Sequence, residues 1–220
     1  MREPIILTPN STSILHLKSC DKRLAKVIQE VGIISYVPHE DGYSFLIHEI
    51  IEQMLSIKAG AVIYGRFIDL CGGDIIPERV ESLSIEQIQS VGISAAKANY
   101  IKILTNAINS NDLDLAMLET QSDAFVIQKL TSYRGIGNWT AKMYLIFVLD
   151  RPDILPFEDG AFLQSFRWLY KTNECSPSAV IKKCKKWSPY SSIAARYMYR
   201  ALDSGLTRYA FHLYKPLERG

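Results

Sequence analysis

Apolar residues recur at helical spacing through most of this 220-residue chain. Leu24, Val27, Ile28 and Val31 mark one face, and Phe45, Ile47, Ile50, Ile51, Met54 and Leu55 a second. Both repeat at the three- and four-residue intervals that a helix buries along one side. A third run, Val62, Phe67, Ile68 and Leu70, follows Gly60 and is closed by Gly72-Gly73, the residue type that most readily takes the left-handed turn after a helix. Pro77 opens a short helical piece. Ser84 with Gln87 three residues on has the spacing of a capping box, and residues 95–108 are helix-rich. Further helices are expected over 113–118, 123–130, 138–149, 159–170 and 189–202. Only the start of the chain, Ile5-Ile6-Leu7 and Ile14-Leu15-His16-Leu17, suggests extended structure. No internal repeat or low-complexity linker breaks the pattern. It predicts a compact all-α protein.

Composition changes this picture little. Apolar content of 48% and charge of 22% belong to an ordinary globule and exclude a disordered or fibrous chain. The length suffices for one large domain or two intimate lobes. A net charge of +2 is too small to argue for a polyanionic partner, which would need local clustering of basic residues. Cys20, Cys71, Cys175 and Cys184 are scattered without a Cys-x-x-Cys pair, so idle thiols in a reducing compartment are expected. His16, His39, His48 and His212 show no metal-ligand spacing. Met1-Arg2-Glu3-Pro4 has no apolar signal core, and no run approaches the roughly 20 apolar residues of a membrane span. A cytoplasmic protein is expected, or a nuclear one if the source has a nucleus.

The chemistry concentrates between residues 130 and 160. Leu130-Thr131-Ser132-Tyr133-Arg134-Gly135-Ile136-Gly137-Asn138-Trp139-Thr140-Ala141 is followed by Pro156-Phe157-Glu158-Asp159. A Gly-apolar-Gly turn opening a helix lets bare backbone N–H groups approach a phosphate, and the positive helix end favours the anion. A carboxylate opening the next helix supplies an acid.

These residues resemble the helix-hairpin-helix (HhH-GPD) DNA glycosylase superfamily, and within it the DNA-3-methyladenine glycosylase II group. Three further blocks carry the likeness in the family's order. Gln53-Met54-Leu55-Ser56-Ile57-Lys58-Ala59 is similar to the group's Gln-Gln-Leu-Ser-x-Lys-Ala helix. Gly92-Ile93-Ser94-Ala95-Ala96-Lys97-Ala98 is similar to its Gly-[Ile/Leu]-Ser-x-x-Lys segment. Trp187-Ser188-Pro189-Tyr190-Ser191-Ser192-Ile193-Ala194 is similar to its Trp-x-Pro-[Trp/Tyr]-x-Ser-x-Ala segment. Together they span about residues 45–202. The resemblance implies a two-lobed helical glycosylase fold with the active cleft between lobes, one of about 40–150 containing the hairpin, the other of 1–40 plus 151–220. The implied activity is a monofunctional glycosylase of base excision repair, which flips an alkylated purine such as 3-methyladenine or 7-methylguanine and hydrolyses its N-glycosidic bond. Its implied partner is damaged double-stranded DNA, bound by a monomer.

Asp159 matches the family's catalytic Asp. As a plain helix N-cap it would need no further role. As a catalyst it would stabilise the positive charge that develops at C1′ and orient or deprotonate water. Glu158 is the rival, about 100° away around the helix start. Trp139 stands where strand-nicking relatives carry a Schiff-base Lys, which points to water as nucleophile. It is either core or a wall for an electron-poor flipped base, worth roughly 0.5–2 kcal/mol as a cation–π contact. Tyr199 and Tyr144 are the other candidate walls. Met54 is either an apolar wedge filling the gap left by the extruded nucleotide, beside Gln53, or core filler. Gly135 and Gly137 would hold a phosphate with Thr140 as hydroxyl helper. Lys97, Lys102, Arg134 and Arg196 are candidate phosphate contacts, each with a solvated surface charge as the plainer alternative, and Lys182, Lys183, Lys185 and Lys186 form a dense basic run. No organic cofactor and no iron–sulfur cluster is expected, though a monovalent cation on the hairpin carbonyls is compatible with the family. Competing readings are a glycosylase of this fold for another damaged base and a non-catalytic DNA-binding helix-hairpin-helix protein.

Overall fold

Helix boundaries follow capping residues wherever the sequence supplies them. The structure, a computed structural model, describes residues 2–214. Among these, β1 (Ile5–Leu7) and β2 (Ile34–Tyr36) pair antiparallel, Ile6 opposite Ser35. The rest is helical: α1 (Thr12–Cys20), α2 (Lys22–Val31), α3 (Gly42–Glu52), α4 (Ile57–Leu70), α5 (Pro77–Ser82), α6 (Ile85–Ser90), α7 (Ala95–Asn109), α8 (Leu115–Leu118), α9 (Asp123–Thr131), α10 (Asn138–Phe147), α11 (Gly160–Tyr170), α12 (Pro177–Cys184) and α13 (Ser191–Asp203). The all-α expectation holds. Asp21, Asp41 and Ser56 cap α2, α3 and α4, and Ser84 and Gln87 form the capping box of α6. Among the described residues no helix is long and apolar enough to cross a membrane.

Two readings of the pattern are corrected. Residues 14–17 are not extended but lie in α1, where Ile14 and Leu17 are buried at helical spacing. The strand partner of β1 comes instead from residues 34–36. The stripe through Phe45 and Ile51 stops at Glu52, so Met54 and Leu55 belong to a turn and not to a helix. The basic run at 182–186, read as a dense cluster or a solvated helix face, ends α12, whose short apolar face runs through Val180 and Cys184.

The chain divides into two compact units, His39–Leu149 and the flanking Met1–Pro38 with Asp150–Gly220. In the flanking unit Leu24, Val27 and Ile28 of α2, Phe162, Phe166 and Leu169 of α11, and Ala194, Tyr197, Met198 and Ala201 of α13 share one core. Each large side chain buried there contributes about 1.5–3 kcal/mol. Trp187 lies fully buried within it. Its indole Nε1–H donates to Asp21 at 3.0 Å, the Tyr170 hydroxyl donates to the same carboxylate oxygen, and Lys186 Nζ stands 3.0 Å from it. The other Asp21 oxygen accepts from the backbone N–H groups of Arg23 and Leu24, opening α2. One buried carboxylate thus joins three stretches of chain. In the central unit α7 runs beside α3, α5 and α6, and α10 beside α3 and α9.

Candidate functional site

The hairpin between α9 and α10 is shaped by contacts that exclude a side chain at its first glycine. Gly135 has φ +93°, and a Cβ there would stand 2.5 Å from the Tyr100 ring. Ile136 is buried, and the Tyr133 hydroxyl donates to Asp112 at 2.6 Å, fixing the turn from both sides. Gly137 is extended and opens α10 without a side-chain cap, so no side chain of its own claims the N–H groups of the first helical turn. Arg134 beside it is exposed. Gly135 and Gly137 thus form the Gly-apolar-Gly turn that opens α10, as the sequence predicts. Thr140, expected as a hydroxyl helper, is instead buried at 2% exposure, so only its backbone remains available at this helix start. Trp139 is half-buried in the same turn of helix.

The turn after α3 is the other prominent feature of the central unit. Met54 sits in the left-handed region at φ 59° with a side chain 102% exposed, followed by Leu55 and by Ile57 at 88%. Three apolar side chains within four positions face solvent, and the core-filler reading of Met54 does not hold. A non-glycine residue at that φ costs about 1 kcal/mol. Met54→Gly should therefore raise stability by up to about that amount in thermal unfolding, whereas a packed methionine would lose about 2–5 kcal/mol.

Two lysines of α7 are used inside the protein. Lys97 Nζ donates to the carbonyls of Ile51 at 2.8 Å and Gln53 at 2.6 Å, and burial lowers its pKa. Lys102 Nζ donates to the carbonyls of Glu81 and Leu83 at 2.7 and 3.0 Å, at the end of α5. Both replace the expected phosphate contacts with helix C-terminal ones, where a cation meets the negative helix end. Gln53 is likewise engaged, its Nε2–H donating to the Gly135 carbonyl at 2.7 Å. Tyr144 is not exposed as a wall: it is buried at 1%, edge-on to Phe45, and lies so close to Gly42 that a Cβ there would meet its hydroxyl at 2.6 Å.

In the flanking unit Asp159 caps α11, accepting from Phe162 N at 2.7 Å, and is buried at 8% exposure. Glu158 is exposed. Both precede α11, Asp159 as its extended N-cap and Glu158 in the turn before it, so their separation comes from that turn and not from helix rotation. Tyr199 on α13 lies beside Asp159. Burial first, and the Asp159 carboxylate second, push its phenol far above the usual range and keep it neutral. Arg196, one turn earlier, is buried rather than reaching outward: its guanidinium pairs with Asp150 at 3.0 Å and lies 3.7 Å over the Tyr36 ring. The Tyr36 hydroxyl also donates to Asp150 at 3.4 Å, and burial raises its pKa to about 12. This Tyr36–Asp150–Arg196 group was not anticipated. Its only sequence trace is an Asp just past a helix end, a position where Asp tolerates left-handed φ, here 51°.

Asp159 with Tyr199 in one unit, and Gln53, Met54, Lys97 and Gly135 in the other, are the groupings the fold makes of the expected residues. The HhH-GPD superfamily base excision DNA repair protein family matches residues 47–189, which include every one of them except Tyr199. The chain belongs to that superfamily. A DNA-3-methyladenine glycosidase from Bacillus halodurans superposes with a TM-score of 0.80 at 33% identity, over 90% of this chain and 92% of that one. The 3-methyladenine DNA glycosylase of Schizosaccharomyces pombe in complex with abasic DNA gives 0.77 at 27%, covering 88% and 97%. By sequence, the chain is 28% identical over 204 residues to DNA-3-methyladenine glycosylase 1 of Schizosaccharomyces pombe, 89% of each chain.

Proposed function

We propose that this base-excision DNA glycosylase removes alkylated purines, 3-methyladenine and 7-methylguanine, from duplex DNA by hydrolysis. The observation that carries the reading is Asp159, a nearly buried carboxylate at a helix start beside a neutral tyrosine, which the sequence resemblance matches to the family's catalytic Asp. Alkylation leaves the purine cationic, so the C1′–N bond breaks with its electron pair moving onto the base and neutralising it. The sugar becomes oxocarbenium-like, and a fixed anion stabilises it without having to reorganise. A water oxygen then bonds to C1′ while its proton passes to the Asp159 carboxylate. The leaving base needs no proton, in keeping with a single carboxylate.

Trp139 in place of a Schiff-base lysine supports water as the nucleophile and an unbroken strand as the product. Met54, exposed on its left-handed turn, has the length and apolarity to fill the stack left by an extruded nucleotide. The Gly135 and Gly137 turn grips a backbone phosphate. A monovalent cation on the hairpin carbonyls would compete with Gln53 for the Gly135 oxygen, and the chemistry does not require one. The protein acts as a monomer.

Incubation with methylated duplex DNA tests the reading directly. Free 3-methyladenine and 7-methylguanine should appear, and strands should break only after alkaline treatment of the abasic sites. Tight DNA binding with neither base released would leave a glycosylase for another damaged base or the non-catalytic binder.

A further inference from the structure

The hydrogen bonds around α7 bring together two elements far apart in sequence. Lys97 closes the end of α3 through the Ile51 and Gln53 carbonyls, so the direction in which the chain enters the Met54 turn is set by an ammonium on another helix. Gln53, held by that contact through its backbone, uses its side chain to bond the Gly135 carbonyl at 2.7 Å. Tyr100, one turn beyond Lys97 on α7, lies against Gly135 so closely that no Cβ fits between them. One face of α7 therefore touches both the apolar turn and the hairpin.

We propose that Lys97 is a positioning residue that, through Gln53, fixes the Met54 turn in register with the phosphate-gripping hairpin. The inference rests on the reading of both elements as DNA-facing. If the hairpin sets where a backbone phosphate sits, a rigid tie to it fixes where Met54 enters the stack. Without the ammonium, two carbonyls at the end of α3 lose their donor, and the turn is free to shift relative to the hairpin. A misplacement of about 1 Å is enough to cost up to roughly 100-fold in rate.

The test separates this role from a phosphate contact. Lys97→Met keeps the aliphatic stem and removes the donor. It should slow single-turnover base release roughly 10- to 100-fold while affinity for undamaged duplex stays within about twofold and the dependence of log K on log salt keeps its slope. A lysine that bound phosphate would instead lower that slope by about 1 and weaken all DNA uniformly, which would overturn the proposal. A 2-aminopurine beside an abasic-site analogue reads entry of the turn into the stack without any glycosidic chemistry. Its enzyme-induced fluorescence change should shrink in Lys97→Met and Gln53→Ala alike, with the double variant no worse than the more affected single one. Lys97→Arg, which can donate to the same carbonyls, should restore it. Losses that multiply in the double variant would sink the tie. Should Lys97→Met fail to fold, Gln53→Ala probes the same connection from its half-exposed end. If the wild type gives the fluorescence change but releases no alkylated base, the substrate assignment fails and the positioning role stands. No fluorescence change with wild type overturns the positioning role.

Discussion

Asp159→Asn is expected to release alkylated purines about 10²–10³-fold more slowly than the wild type at saturating DNA, the scale of removing one preorganised electrostatic group from a transition state. Asparagine is nearly isosteric and caps helices about as well as aspartate. The bond to Phe162 N should therefore persist, and thermal stability and DNA affinity should hardly change. What is lost is the negative charge opposite C1′ and the acceptor for the water proton. Single-turnover release from methylated duplex DNA, with affinity for an abasic-site duplex measured alongside, isolates that loss. Equal release by both proteins would remove Asp159 from the chemistry and redirect attention to Glu158, which is exposed one position earlier.

The largest effect on stability is expected at Asp21. Asp21→Ala removes the cap of α2, strands the Trp187 N–H and the Tyr170 hydroxyl, and takes away the partner of the exposed Lys186 ammonium. The cap alone is worth about 1 kcal/mol, and each buried donor left without an acceptor costs about 1–3. The total should reach about 3–5 kcal/mol, a fall in Tm of roughly 10 °C for a chain of this size. The same residue sets an acid limit. Burial pushes its carboxyl up, but the hydrogen bonds from Tyr170, Lys186 and Trp187 outweigh it and hold the pKa below the ordinary value. The unfolded chain then binds the proton more readily than the folded one, so stability rises with pH across this window. Its contribution is complete above about pH 4, the range of an unfolded aspartate, and is lost as pH falls toward the folded value. Denaturant unfolding at successive pH values should show this decline in the wild type and a flatter curve in Asp21→Ala. Parallel curves would place the acid sensitivity elsewhere.

What the sequence made legible follows from how local the causes are. Asp159 as cap, the Gly135-Ile136-Gly137 turn and the helical faces of α2, α10 and α11 depend on neighbours within one or two turns, and they were readable. The Met54 turn was misread because Met54 and Leu55 continue the apolar spacing of α3, while the end of that helix is set by Lys97, some 44 residues later. The internal contacts of Lys97, Lys102 and Arg196 were hidden for a related reason. Lysine has a long apolar stem and a mobile head, so the spacing of Lys97 and Lys102 does not reveal that carbonyls on α3 and α5 await them. Arg196 likewise looked free until Asp150, 46 positions away, came beside it. Of the four phosphate candidates named individually, Arg134 alone stays exposed.

The division of the chain has a consequence for its birth on the ribosome. The central unit is continuous from His39 to Leu149, so all its partners have emerged before the second half of the other unit is made. The flanking unit must wait. Leu24, Val27 and Ile28 share with Ile14 and Leu17 a core that α11 and α13 complete, and Asp21 meets Tyr170 and Trp187 only after 149 and 166 further residues. Domains generally fold as units during synthesis, and contacts this distant in sequence close slowly. The central unit is thus complete first, and β1, α1, α2 and β2 have only one another until α11 and α13 return to complete their core.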